Sequence, residues 1–306
     1  MIKKALFIGS KQFGLDTLKL ISELSPGLIT RVITCDDSKD PRNRMDEFIA
    51  HAKKYDLDLF VSKSKSVTHE IVKDYQPDLC FVNGWYQLLL EETLVIPKFG
   101  VIGIHHSLLP KYRGGSPLVW QIINNEEELG TSIFYLDKGM DSGDIILQTS
   151  IRNKGLYIDE ARQQLEKKVL NELRIIWPEI ISDTHEKSHQ CHENATYCAQ
   201  LLEEDGEINW SDKPENILSG IRARSLPYPC AYFFYKEEKI RVTRAKPYDT
   251  IIYGLPGQLV AFEEHTGYPV ISCGNGKAIV IEKILAQDNQ LVAAQQVLSS
   301  TKIRLA

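Results

Sequence analysis

The sequence predicts an α/β protein with two domains, a doubly wound domain followed by a small β-barrel. Strands and helices alternate through the first half of the chain, which favours a doubly wound, mostly parallel sheet. From Tyr232 onward the pattern changes to short strands separated by turns, which favours a small barrel. A chain of 306 residues has room for both. The predicted boundaries are residues 1–184 for the first domain, 185–200 for a polar linker and 201–306 for the second domain.

The first half of the chain divides into strand and helix segments. Residues 5–8 and 28–35 are apolar runs flanking a helical pattern that begins near Gly14, and such a unit implies a parallel strand pair with a right-handed crossover. The turn between them, GSKQFG, lacks the G-x-G-x-x-G pattern, so a tight strand-to-helix turn is favoured over a dinucleotide site. The following predictions are a helix at 42–54, strand at 57–61, helix at 69–75, strands at 79–82 and 99–104, helix at 118–123, strand at 131–136, and a helix at 159–182 that Trp177-Pro178 bends or breaks.

The second half begins with one helix, predicted at 216–224, and then contains only strands. Asn275-Gly276 fits a tight hairpin between two of them. The predicted strands are 232–235, 240–243, 257–261, 270–273, 278–281 and 283–285.

Composition excludes several classes of protein. A net charge of -5 gives no electrostatic case for tight nucleic-acid binding, and no apolar run reaches the roughly 20 residues that span a bilayer. Six cysteines without a C-x-x-C pair predict free thiols in a cytoplasmic protein. The linker has metal-like spacing of ligand residues, but a solvated connector is favoured and no metal is predicted; these residues are His185, His189, Cys191 and His192.

The candidate site lies within residues 101–147. His105 directly follows a predicted buried strand, and the loop after it, SLLPKYRGGSP, is broken by prolines and glycines. A later acidic turn, DKGMDSGDII, places Asp141 between two strands. In α/β enzymes, ligands bind outside the carboxyl ends of the strands. The pattern therefore indicates a site built from a histidine and a carboxylate.

These two motifs resemble the signatures of folate-dependent formyltransferases. HHSLLPKYRGGSP is similar to the family's H-x-S-L-L-P-x-Y-R-G, and DKGMDSGDII to its aspartate turn. NGWYQLLLEETLVIPKFG resembles the folate loop, and LLEEDGEINWSDKPENILSGIRARSLPYPCAYF the start of the C-terminal domain. The resemblance covers most of the chain. It implies a Rossmann-like formyltransferase domain followed by an oligonucleotide-binding-type barrel, with 10-formyltetrahydrofolate as the co-substrate.

The resemblance also implies catalytic roles. Formyl transfer is acyl transfer, so a base must take the amine's proton and donors must hold the developing oxyanion. His105 is the expected base and Asp141 the carboxylate that fixes its tautomer. Gly103 occupies the position of the family's asparagine, which is expected to hold the formyl oxygen. The missing side chain predicts a void beside His105, with a water, protonated His105 or Asn83 as the substitute donor.

Folate binding is expected from two loops. Gln87, Leu88 and Leu89 match the loop that grips the pterin. The opposite wall is expected from Asp137, Lys138, Gly139, Met140 and Asp141. Arg113 either braces the SLLPKYRG loop or meets an anionic substrate.

The chain most resembles enzymes that formylate amino sugars, so the expected acceptor is a nucleotide-linked amino sugar. Gly115 departs from the R-G-R-A-P of the arabinose enzymes. Methionyl-tRNA formylation is a second interpretation, and a catalytically impaired folate-binding homologue is a third, motivated by Gly103. His106 is either an acceptor contact or filler. The sequence does not decide whether the protein is a monomer or a homodimer.

Overall fold

The computed structural model describes residues 1–286 and 289–305, which form two compact units. The first consists of Met1–Pro117, Gly130–Ile151 and Gln163–Cys198. The second takes in Leu118–Leu129, Arg152–Arg162 and the chain from Ala199. Most of the segment predicted as a linker therefore belongs to the first unit. None of the described helices is both long and apolar enough to cross a membrane.

The predicted alternation of strands and helices is present up to residue 198. The elements are β1 (Ala5–Gly9), α1 (Lys11–Leu24), β2 (Ile29–Cys35), α2 (Met45–Tyr55), β3 (Asp58–Ser62), α3 (Lys65–Tyr75), β4 (Leu79–Asn83), α4 (Glu91–Leu94), β5 (Val101–His105), β6 (Arg113–Gly114), α5 (Pro117–Ile123), β7 (Glu128–Tyr135), β8 (Ile145–Arg152), α6 (Ile158–Ser182) and β9 (Tyr197–Cys198).

The main sheet has seven strands in the order β3-β2-β1-β4-β5-β7-β8. The first five strands are parallel to one another, and β7 pairs antiparallel with β5. Strand order reverses between β1 and β4, and the crevice outside the carboxyl ends of such a pair is where doubly wound sheets bind ligands. The doubly wound prediction is confirmed.

Side chains of the sheet alternate between two buried cores. Phe7 and Phe81 pack with α1 and α6 on one face. Ile8, Val82 and Val101 pack with α3 on the other. By the same alternation, the side chain of His105 faces the second core, and so would any side chain placed at position 103.

The sequence predicted that Trp177-Pro178 bends or breaks helix α6; the helix runs unbroken past Pro178, so a break is wrong. Trp177 is buried in the first core, where its ring meets the edge of Phe81 and its indole N–H donates to Ser25 Oγ at 2.9 Å. A proline inside a helix removes a backbone donor and crowds the preceding turn, which costs about 3 kcal/mol. Burial of Trp177 offsets that cost.

The second unit contains a helix and an antiparallel sheet. Its elements are α7 (Pro214–Arg224), β10 (Ala231–Tyr235), β11 (Glu238–Tyr248), β12 (Leu259–Phe262), β13 (Pro269–Ser272), β14 (Ala278–Leu285) and β15 (Leu291–Ala293). The strand order is β10-β11-β14-β13-β12, with β15 paired to β14. Asn275 and Gly276 connect β13 to β14 with positive φ, which confirms the predicted hairpin. The two segments predicted at 278–281 and 283–285 form one strand.

Candidate active site

His105 is the last residue of β5, beside the switch point of the sheet. Its side chain is 9% exposed and its ring packs edge-on against Phe134. The Nε2 atom lies 2.7 Å from the carbonyl oxygen of Tyr112. A carbonyl can only accept, so Nε2 must carry the proton of the neutral ring. The basic nitrogen is therefore Nδ1.

The SLLPKYRGG loop folds back so that this carbonyl reaches His105. Tyr112 and Gly114 both have positive φ, which lets the chain reverse within three residues. Ser107 Oγ donates to the carbonyl of Lys111 at 2.6 Å and so joins the beginning of the loop to its middle. This loop conformation thus places the carbonyl that determines the tautomer of His105.

Asp141 faces the basic nitrogen of His105. Its Oδ2 lies 3.7 Å from His105 Nδ1, within ion-pair range but beyond a hydrogen bond. The same oxygen accepts the N–H of Gly114 at 2.8 Å. The expected pairing of His105 with Asp141 is present, but the expected fixing of the tautomer by Asp141 is wrong. The Tyr112 carbonyl fixes it, and the Asp141 carboxylate lies on the Nδ1 side of the ring.

The space beside Gly103 is filled by apolar side chains. A Cβ on Gly103 would lie 2.8 Å from Cδ1 of Leu136 and 3.6 Å from Cε1 of Phe134. The predicted void is therefore absent at this position, and so is the predicted room for a water. Leu136 occupies the place where a longer residue at position 103 would extend.

Asn83 is not the substitute donor. Its side-chain amide donates to the carbonyl of Phe13 at 3.2 Å and to Thr17 Oγ1 at 2.8 Å. Both partners are in α1, on the face of the sheet opposite to Gly103. Of the three substitutes expected from sequence, only protonated His105 remains consistent with the structure.

Arg113 is buried in the protein, with 2% exposure. Its Nε and Nη2 donate to Oε1 of Gln190 at 3.1 and 2.6 Å, and Nη2 lies 3.1 Å from His192 Nδ1. Residues 113–114 also pair with β9, a two-stranded sheet that the sequence did not predict. Of the two roles expected for Arg113, bracing the loop or meeting an anionic substrate, the buried and hydrogen-bonded side chain fits the bracing role.

The loop after β4 presents both apolar and polar groups to the switch point. Leu88 is 83% exposed, whereas Leu89 packs against the second core. Trp85 Nε1 and Gln87 Oε1 are buried and have no hydrogen-bond partner among the described residues. Buried polar atoms of this kind usually have a partner, so a ligand with a donor and an acceptor edge fits here.

The acidic turn forms the other expected wall. Asp137 Oδ1 accepts from the N–H of Gly139 at 3.0 Å and from Ser142 Oγ at 2.7 Å, as an ordinary turn former does. Lys138 and Met140 are exposed, and Met140 is 60% accessible. Beneath the turn, burial and then the charge of Asp141 raise the pKa of Cys198 to about 11. That thiol is therefore neutral.

Other candidates have structural partners. His106 lies on the Phe13 ring at 5.4 Å, with Nδ1 3.0 Å from Thr131 Oγ1. His185 Nε2 pairs with the Tyr135 hydroxyl, and His189 Nδ1 lies 2.6 Å from Asp144 Oδ1. Across the described part of the chain, no three His, Cys, Asp or Glu side chains are grouped to hold a metal.

Comparison with known proteins identifies the family. The model of the formyl transferase family matches residues 6–181, and that of the formyl transferase C-terminal domain matches residues 200–302. The chain belongs to the formyl transferase family. It is an enzyme of one-carbon transfer, as the sequence predicted.

The relatives of this formyltransferase differ in their acceptors. A methionyl-tRNA formyltransferase of Clostridium acetobutylicum is 31% identical over 289 residues, covering 92% of this chain and 91% of the relative. Among solved structures, the N-formyltransferase of Helicobacter canadensis in complex with folinic acid and dTDP-3-aminofucose is similar at 20% identity, with a TM-score of 0.68, 92% coverage of this chain and 99% of that one. HypX of Aquifex aeolicus, in complex with tetrahydrofolic acid, is similar at 16% identity and a TM-score of 0.64; the match covers 96% of this chain but only 46% of HypX.

The formyl donor of the family is 10-formyltetrahydrofolate, which confirms the predicted co-substrate. The formyltransferase has residues that fit it, because the orphaned Trp85 and Gln87 atoms lie in the loop that resembles the folate loop. Sequence reasoning missed two contributors to this site, the Tyr112 carbonyl and Gln190. Backbone groups leave no trace in the sequence, and Gln190 lies in a polar stretch without periodicity.

Proposed function

We propose that this formyltransferase transfers the formyl group of 10-formyltetrahydrofolate to the amino group of a nucleotide-linked amino sugar. His105 and Asp141 are the catalytic residues of the proposal. Gln87, Leu88 and Leu89 bind the pterin from one side, and the turn from Asp137 to Asp141 from the other. When bound, the folate supplies an activated formyl group beside His105.

The proposed chemistry follows from the geometry of His105. With Nε2–H donating to Tyr112, the lone pair on Nδ1 is free to take the acceptor's proton. The resulting imidazolium faces Asp141 at 3.7 Å, which stabilises its charge. Its Nδ1–H would then donate to the developing oxyanion and, as the bond from the formyl carbon to the folate nitrogen breaks, pass the proton to that nitrogen, so that tetrahydrofolate leaves and His105 returns to its neutral form. His105 thus combines the role of base with that of the donor absent at Gly103.

The observation that favours a small acceptor is the neutralisation of cations at the carboxyl edge. Lys11 Nζ lies 2.6 Å from Asp37 Oδ2 and 2.8 Å from Asp40 Oδ2. Arg42 Nη2 lies 2.8 Å from Asp40 Oδ2. Arg44 is the exception, because its Nε lies 3.7 Å from Glu47 Oε1, a looser ion pair. Binding of tRNA requires several cations that are available to phosphates.

The remaining charges agree with this proposal. Residues 199–306 contain twelve Lys and Arg against thirteen Asp and Glu. A nucleotide sugar carries two phosphates, and the two loops beside the site each contribute one exposed lysine, Lys111 and Lys138. The solved relative with dTDP-3-aminofucose has the same fold and supports the same class of acceptor.

The sequence relatives favour a second candidate, formylation of methionyl-tRNA. One assay separates the two. The enzyme is mixed with 10-formyltetrahydrofolate and either dTDP- and UDP-linked amino sugars or methionyl-tRNA, and both tetrahydrofolate release and formylated product are measured. We expect product from at least one nucleotide sugar. Turnover with methionyl-tRNA alone would overturn the acceptor assignment, and no turnover with any amine would support the impaired homologue.

A further inference from the structure

Gln190 is a buried glutamine whose amide is fully used. It is 5% exposed. Its Oε1 accepts both Arg113 bonds, and its Nε2 donates to the carbonyl oxygens of Asp141 at 2.9 Å and Gly143 at 2.7 Å. An amide offers two hydrogens and two lone pairs. The opposite flip would set NH₂ against a guanidinium and oxygen against two carbonyls, so the orientation is fixed by its partners.

These four bonds join the two motifs of the site. Arg113 belongs to the SLLPKYRGG loop, and the next residue, Gly114, donates its N–H to Asp141 Oδ2 at 2.8 Å. Asp141 is thus held by its carboxylate through Gly114 and by its backbone through Gln190. Both contacts originate at consecutive residues of the other motif.

Asp141 needs such holding because its backbone lies in the left-handed region. It has φ +48, a left-handed conformation that non-glycine residues adopt at a cost. Residues in such regions persist when their surroundings over-determine them. Without the bonds to its carbonyl and to that of Gly143, the turn would relax and the distance from Asp141 to His105 would change.

We infer that Gln190 is a positioning residue, which sets the place of the Asp141 carboxylate relative to His105. The inference rests on the proposed role of Asp141. It assigns a function in catalysis to a segment that the sequence presents as a connector, and Gln190 acts through Asp141.

The test exchanges the donating half of the amide while keeping the accepting half. Gln190→Glu retains an acceptor for Arg113 but points oxygen at the carbonyls of Asp141 and Gly143, so the turn is pushed away. We expect kcat to fall about tenfold to a hundredfold, with a change in KM for 10-formyltetrahydrofolate of less than about threefold. Gln190→Met, similar in volume but without these bonds, should show the same fall and serves if Gln190→Glu folds poorly.

A double-mutant cycle with Asp141→Asn separates positioning from general damage. Because the removed charge no longer needs placing, Gln190→Glu should lower kcat by less than about threefold in the Asp141→Asn enzyme. The same factor in both backgrounds would overturn the inference. Gln148 is the matched control, since its Nε2 donates to the carbonyl of Leu109 and to Ser132 Oγ. Any effect of Gln148→Glu should be equal in the two backgrounds.

Failure of the proposed function appears elsewhere in the same experiment. If Asp141→Asn alone turns over like the unmodified enzyme, then the catalytic role of Asp141 is wrong, and the positioning role falls with it. If Asp141→Asn is impaired but Gln190→Glu and Gln190→Met are not, only the inference about Gln190 is overturned.

Discussion

The Nε2 atom of His105 donates to the carbonyl oxygen of Tyr112 at 2.7 Å, and this bond leaves the lone pair of the neutral ring on Nδ1. Replacing His105 by alanine removes both the proposed base and the proposed oxyanion donor. We expect His105→Ala to lower kcat by roughly 10²–10⁴-fold, while tetrahydrofolate binding, followed by calorimetry, stays within a few fold. Turnover near that of the unmodified enzyme, with folding confirmed by circular dichroism, would contradict the assignment.

Asp141→Asn tests the carboxylate by its charge. Asparagine can still accept the N–H of Gly114, and the tautomer of His105 is fixed by Tyr112, so only the stabilisation of the imidazolium is lost. We expect kcat to fall on the order of a hundredfold. The control is Asp144→Asn in the same turn, whose carboxylate pairs with His189, an exposed residue. Equal kinetics for the two variants would count against Asp141.

Gly103→Asn tests the missing oxyanion donor. The new Cβ would meet Leu136 Cδ1 at 2.8 Å, so the single variant should lose about 1–3 kcal/mol of stability. Gly103→Asn combined with Leu136→Ala makes room for the amide, and we expect it to be up to ~10²-fold faster than Leu136→Ala alone. Equal rates for the double variant and Leu136→Ala would show that position 103 does not reach the oxyanion. Thermal denaturation and steady-state kinetics provide both readouts.

The acceptor class predicts how activity depends on salt. A nucleotide sugar makes few phosphate contacts, so log(kcat/KM) should change little between about 50 and 200 mM salt. Binding of tRNA through six or more phosphates would instead lose about 10³-fold or more over that range. A steep slope, measured as affinity for any RNA by filter binding, would favour the tRNA candidate.

Asp40 gives the stability of the first unit a pH dependence. The hydrogen bond from Arg42, followed by that from Lys11, holds the pKa of Asp40 well below its usual range despite partial burial. A carboxyl with a lowered pKa stabilises the fold above its unfolded pKa of about 4, and that stabilisation is lost as pH falls toward the folded pKa.

Asp40→Asn should therefore lower the urea midpoint at pH 7, and the difference from the unmodified protein should shrink below about pH 4. Asp56→Asn is the control, because Asp56 is exposed and asparagine tolerates its left-handed conformation. A midpoint difference for Asp40→Asn that is constant from pH 7 to pH 3 would contradict the prediction.

The sequence predicted those parts of the fold that repeat. Apolar runs located β1 to β5, and the motifs located His105 and Asp141, because periodicity and motif spacing are properties of the chain itself. The two-residue strands β6 and β9 are too short to carry a period. The single strand β14 was divided at Glu282, because a polar side chain inside an apolar run resembles a boundary.

The details of the site were less predictable. The void expected at Gly103 depends on a neighbour, Leu136, which is 33 positions away and belongs to an adjacent strand's end. The tautomer of His105 depends on a carbonyl group that every residue possesses. Sequence reasoning offered Asn83 as a donor, but the alternation of side chains along β4 points its amide toward α1, where it donates to the carbonyl of Phe13. Such properties arise from strand register and from the way loops close, and neither can be predicted from a single sequence.

The position of Gln190 late in the chain has a consequence for the order of folding. All seven strands of the main sheet have left the ribosome before residue 190 does, because translation proceeds from the N-terminus. The nascent domain can thus bury its sheet while the acidic turn still lacks the two hydrogen bonds that Gln190 donates to the carbonyls of Asp141 and Gly143. A version of this domain that ends at the end of α6, or is fused there to another protein, would keep the hydrophobic core but lose Gln190 and its hydrogen bonds. A transplantable version should extend through Cys198, where β9 ends.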